Sequence, residues 1–168
     1  MINVLNTGNK KTFFAGAFIL IVFIATSFYV GNVLNRNSNY KENIVSKVNH
    51  VLRIGNASVR VDIADTPTLR ERGLSGRKLL LDDQGMYFIF DHPDVYPFWM
   101  KEMNFPIDII WIGEHMSVVD ITKSASPSSF PQTFVSSVSA LYVLEVQAGF
   151  AERHGIKIGD QVVLLDSN

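Results

Sequence analysis

The sequence predicts a mostly β domain with short helices (α+β), built as a compact barrel-like or sandwich fold behind one N-terminal transmembrane helix. Three observations predict it. Short apolar runs recur from Val51 to Leu165, punctuated by glycine, asparagine and proline turns. Only two short stretches, 66–73 and 150–155, carry helix start and stop signals. Ahead of them, the residues from Thr12 to Gly31 hold no charge, a run that at about 1.5 Å per residue spans roughly 30 Å of hydrocarbon.

That run sets the expected organisation: a cytoplasmic N-terminus over 1–11, a transmembrane anchor over 12–34, a polar linker over 35–49 and an extracytoplasmic β-rich domain over 50–168. A cleaved signal peptide is the competing reading, but its apolar core is usually about 7–15 residues followed by a small-x-small site. Here the apolar run continues past Ala25-Thr26-Ser27 through Phe28, Tyr29 and Val30. Lys10 and Lys11 precede the span with no acidic residue opposing them, which keeps that side in the cytoplasm and places the bulk of the chain outside, single-pass. The chain has no cysteine, so neither a lipoprotein anchor nor a disulfide staple is available. The roughly 120 residues after the linker must be held together by their core. A net charge of −1 offers no basic field, and nucleic acid is set aside as a partner.

Within the expected domain, VLRIGNASVRVDIA alternates about Gly55-Asn56 and reads as a β-hairpin, with Val59, Val61 and Ile63 inward and Arg60 and Asp62 outward. Thr66 suits a helix cap, Pro67 the first helical position and Gly73 the stop. Gly85 to Phe90 reads as a buried strand after the Asp82-Asp83 turn. Ile107 to Ile112 reads as another, ended by Gly113, with Met116 to Thr122 as its hairpin partner. The serine- and proline-rich stretch 124–137 reads as a long surface loop. Leu141 to Gln147 is a strand, Phe150 to His154 a short helix closed by Gly155, and Gln161 to Leu165 a final strand after Gly159-Asp160.

The residues that could carry chemistry cluster in FWMKEMNFPIDIIWIG, 98–113, where Lys101, Glu102 and Asp108 interrupt a run of large apolar side chains. Trp99 and Trp111 are core anchors by type, but Trp99 stands near a loop and beside a lysine, which suits a pocket wall. An ionised Asp108 inside Ile107–Ile110 needs partners, because burying it alone costs several kcal/mol. Two readings stay open: a cap of nearby backbone amides after Pro106, or a pair with Lys101 or Arg72 at a pocket rim. Glu145 repeats the pattern inside LYVLEV, as a solvent-face residue or a second carboxylate of a glycoside-hydrolase pair. Ser75 in Gly73-Leu74-Ser75-Gly76-Arg77 lacks the final glycine and the preceding strand of a nucleophile elbow. The four histidines are scattered, the methionines read as core filler, and no metal or cofactor is expected.

An ordered series of motifs runs through the domain: Arg72-Gly73-Leu74, Gly85-Met86-Tyr87-Phe88, Phe98-Trp99-Met100-Lys101, Pro106-Ile107-Asp108-Ile109, Tyr142-Val143-Leu144-Glu145 with Ala148-Gly149, and Gly159-Asp160. This series resembles the family called domain of unknown function 192, from about residue 51 to 165. The resemblance implies a compact, β-rich, barrel-like domain often exported behind a signal or anchor, and it brings no activity with it. Two departures stand out: Glu102-Met103 replaces the asparagine-threonine that follows the lysine in the resembling sequences, and Ser75 replaces a methionine.

The expected function is a membrane-tethered binding module with a small apolar pocket formed from Arg72, Trp99, Met100, Lys101, Asp108 and Glu145, taking a small polar ligand or another envelope protein. The alternative is a hydrolase of a cell-envelope or carbohydrate substrate acting through Asp108 and Glu145. A structural role, docking an envelope partner through the Ser/Pro-rich loop, is the third reading.

Overall fold

A computed structural model describes residues 50–165. The expected anchor over 12–34 and linker over 35–49 lie outside the described residues. Among the described residues, no helix is long and apolar enough to cross a membrane.

The hairpin forms as the alternation predicts. Strands β1 (His50–Ile54) and β2 (Ala57–Ala64) pair antiparallel. Gly55 supplies the positive φ that the tight turn requires. Helix α1 (Pro67–Arg72) follows, with the Thr66 hydroxyl accepting from the Leu69 amide and Pro67 in its first turn. It ends at Gly73, φ +49°. Strand β3 (Gln84–Asp94) then returns parallel to β2, so α1 lies in a crossover connection.

Strands β5 (Ile107–Ile112), β6 (Val118–Ala125), β8 (Ala140–Gln147) and β9 (Val162–Leu165) complete a seven-stranded sheet in the order β6-β5-β8-β3-β2-β1-β9. The sheet curls far enough for its two edges to touch at one end. Ser117 bridges Gln161, and the Val118 amide donates to the Asp160 carbonyl at 2.9 Å. The outcome is a half-barrel of one curled sheet, and the sandwich alternative is not adopted. Every residue of β5 is buried, because it lies between β6 and β8 with both faces covered, which is why IDIIWI reads as a nearly unbroken apolar run.

Two hydrophobic clusters occupy the two faces. One holds Leu52, Val61, Tyr87, Ile110, Leu144 and Phe150 of helix α2 (Phe150–Arg153). The other holds Leu74, Phe88, Phe98, Ile109, Trp111 and Val143. The stretch 124–137 is more ordered than a plain loop. It contains a short 3-10 helix, Pro127–Ser129, and strand β7 (Thr133–Phe134), which pairs with β4 (Phe98–Trp99) as a separate two-stranded ribbon. Each strand is two residues long, too short for any periodicity to announce it.

Candidate functional site

Register decides what the two buried carboxylates can do. On β5 and β8, Asp108 stands opposite Val146 and Ile109 opposite Glu145. Side chains alternate across a strand, so Asp108 points to the face of Ile110 and Leu144, and Glu145 to the face of Ile109 and Trp111. They lie on opposite sides of the sheet and cannot flank one bond. The two-carboxylate hydrolase reading is therefore not supported.

Asp108 is fully buried and satisfied by the backbone. Its Oδ1 accepts from the amides of Ser124 (2.9 Å) and Gly149 (3.1 Å), and its Oδ2 from Ala151 (2.9 Å). It ties β6 and the start of α2 to β5: Asp108 does cap backbone amides, but distant ones brought in by the sheet and not those following Pro106. The pair with Lys101 or Arg72 does not form, because both cations are exposed while the carboxylate faces the amides around α2. Lys101 contributes its carbonyl instead. The Ser75 hydroxyl donates to the Lys101 oxygen at 2.9 Å, and the Gly76 amide donates to the Glu102 oxygen at 3.0 Å. These bonds staple the turn after α1 to the turn after β4. Glu102 sits there with φ +56°, a conformation asparagine adopts more readily than glutamate, which gives the asparagine of the resembling sequences a backbone reason.

Glu145 is the opposite case. It is 5% exposed, and its Oε2 has no hydrogen-bond partner among the described residues. Burial pushes its carboxyl up to about 8, with nearby Arg77 pulling only partly the other way. Arg77 is itself paired with Asp62. At neutral pH the group is thus mostly the neutral acid, able to donate as well as accept. The solvent-face reading of Glu145 is overturned, because the turn after α1 and the aromatic residues of β3 and β4 cover this face of β8.

Above Glu145 a cavity of about 250 Å³ opens. Its walls come from α1 and the turn that follows it, from Phe88 and Phe90 of β3, and from Tyr96 to Trp99. The β3–β8 register shifts between Ile89 and Asp94, where pairing resumes with Ala140, and Phe90 of the cavity wall stands in that irregular stretch. Phe90 stacks on Tyr96 with ring centroids 3.6 Å apart, Phe98 meets Phe88 edge-on at 5.0 Å, and the Arg70 guanidinium lies 5.2 Å over the Phe90 ring. Arg70 is fixed by its bonds to the Asp65 and Ile89 carbonyls, at 2.8 and 2.7 Å. Gly73 lies over the carboxyl, where an added Cβ would stand 3.8 Å from Glu145 Oε2.

Of the residues expected from sequence, Arg72, Trp99 and Glu145 line this cavity together, and Trp99 is 46% exposed. Met100 is buried in the core, Lys101 is on the surface, and Asp108 is on the other face. The aromatic wall of Phe88, Phe90, Tyr96 and Phe98 was missed. Its strand-like pattern signals only burial, and nothing in it marks which buried rings border a void. Among the described residues no group of three or more acidic or histidine side chains comes together to hold a metal.

The sequence profile of the family described as Uncharacterized ACR, domain of unknown function 192, matches residues 48–164. This chain belongs to that family. The family's domain therefore coincides with the curled sheet and with every residue of the cavity. A solved protein of unknown function from Novosphingobium aromaticivorans DSM 12444 is 32% identical with a TM-score of 0.64, covering 67% of this chain and 83% of that one. A second solved structure, from Sinorhizobium meliloti 1021 and described provisionally as a transcription regulator, is 30% identical with a TM-score of 0.65, covering 68% of this chain and 92% of that one. No curated protein matches the chain.

Proposed function

We propose that the domain is a small-ligand-binding module, tethered to the membrane by residues 12–34 with the domain outside the cytoplasm. One observation carries the binding reading. A carboxyl group buried to 5% exposure, with Oε2 unpartnered, lies at the floor of an aromatic-walled cavity. An unpaired buried polar group costs about 1–3 kcal/mol, and a ligand that bonds to it recovers that cost. The cavity is somewhat smaller than the ~300–1,000 Å³ of drug-sized sites, so it suits a molecule of about one ring.

A thermal-shift screen of the full-length chain against amines, sugars, amino acids and cell-wall fragments tests the reading. Hits should vanish in Glu145→Leu while the fold survives. Hits indifferent to that change would place binding elsewhere. The tether rests on the uncharged Thr12–Gly31 run flanked by Lys10 and Lys11. Protease added to spheroplasts should degrade the domain, and a protected domain would reverse the topology.

A further inference from the structure

The cavity carries charge at two depths. Glu145 lies at the floor, buried and unpartnered through Oε2. Arg72 lines the mouth from the last turn of α1, exposed, and its guanidinium makes no ion pair or hydrogen bond with the described residues. The other charged groups facing this space are Arg70 and Glu71 of α1. Arg70 is held by two carbonyls, lies 4.0 Å from Asp91 and covers Phe90. Arg77 acts on Glu145 from the following turn while paired to Asp62. Tyr96 is the titratable group on the aromatic wall, and its hydroxyl donates to the His92 carbonyl at 2.6 Å. From β3 and β5 only apolar side chains, Met86, Phe88 and Ile109, share the sheet face beside Glu145.

We infer that the cavity takes a small zwitterion, seated with its ammonium end against Glu145 and its acidic end at Arg72, with its body between aromatic rings. The inference rests on the pocket reading above. An ammonium is the ligand group that offers a buried carboxylate both opposite charge and several donors, and the ring faces of Phe88 and Phe98 add cation–π attraction. The free guanidinium at the mouth opposes a simple cation and favours one that brings its own carboxylate. Protons balance in the step: the ligand enters as R–NH3+, Glu145 gives its carboxyl proton to solvent, and the ion pair remains.

Calorimetry on the full-length chain, in buffers of different ionisation heat at pH 6.5 and 7.5, tests this with 4-(aminomethyl)benzoate as probe. Benzylammonium, 4-(hydroxymethyl)benzoate and 4-methylbenzoate are the comparisons. The zwitterion should bind most tightly, with about one proton released per ligand at pH 6.5 and affinity rising up to roughly tenfold per pH unit toward 8. Glu145→Gln should abolish the proton release and cost at least ~100-fold in affinity, and Arg72→Gln should cost ~10-fold for the zwitterion while tightening benzylammonium. If the hydroxymethyl compound binds as well as the amine and both depend on Glu145, the pocket stands and the zwitterion is wrong. If no probe binds, or binding ignores Glu145, both readings fall.

Discussion

Asp108 and Glu145 stand one pleat apart on neighbouring strands, both buried, and their surroundings make them opposite kinds of residue. Asp108 faces three backbone amides at 2.9–3.1 Å, so its charge is matched by fixed dipoles and holds β5, β6 and α2 together. Glu145 faces aromatic rings and a void, its Oε2 is without a partner among the described residues, and its carboxyl is pushed up to about 8. A buried carboxylate is structural when the backbone meets it and available when nothing does. The same residue class at the same depth therefore stabilises on one face of the sheet and costs stability on the other.

The contrast is broken most severely at Asp108. Asp108→Ala should cost about 3–5 kcal/mol in urea melts, because three amides lose a charged acceptor at once. Asp108→Asn, which keeps one acceptor oxygen, should cost about half as much. Losses below about 1 kcal/mol would show that water replaces the carboxylate and that the cap is ornamental.

Glu145→Gln should act in the other direction, and its size depends on pH. The unfolded chain ionises this group near 4.5 and the folded chain near 8. Between those values the unfolded state binds fewer protons, so wild-type stability falls as pH rises and levels off above 8. At about 1.4 kcal/mol per unit, the loss is on the order of 5 kcal/mol. The glutamine variant should match wild type near pH 4 and exceed it at pH 8, by melts followed across that window. A pH-independent difference between the two would mean that Glu145 ionises freely in the fold.

Smaller effects sharpen the comparison at the cavity itself. Gly73→Ala places a side chain at φ +49°, which should cost roughly 1–2 kcal/mol and, with the new Cβ facing Glu145, weaken any ligand found. Lys101→Met should move stability by less than about 0.5 kcal/mol, because its structural contribution is its carbonyl. Glu102→Asn should raise stability by a few tenths of a kcal/mol, up to about 1, by relieving the positive φ. Loss of stability in Lys101→Met would reinstate its ammonium as a partner of a buried acid.

Much of the fold was legible in the chain because it is encoded locally. The period-2 alternation of SVRVDIA, the Gly55-Asn56 turn, and the Thr66-Pro67…Gly73 start and stop all act within a few residues, and the elements form where those signals stand. The strand boundaries moved where tertiary pairing overrode local pattern. β3 continues to Asp94 and β6 begins at Val118. The candidate site was legible by residue type only. The aspartate inside IDII announced a need for partners and Trp99 announced a wall, while the glutamate inside LYVLEV read as solvent-facing or as half of a catalytic pair, and no local signal named a partner.

Sequence by itself determined that this is a small, cysteine-free, mostly β domain with carboxylates set inside two apolar runs, because composition and periodicity are properties of neighbouring residues. Tertiary structure alone decided that β2 and β3 run parallel, that β4 finds β7, and that the two ends of the sheet meet at Ser117 and Gln161. It also decided that Asp108 pairs with Val146 and not with Glu145. The physical reason is the pleat: shifting one strand by a single residue sends a side chain to the other face. That choice belongs to the packing of distant segments, and it separates a carboxylate held by backbone amides from one that faces a cavity.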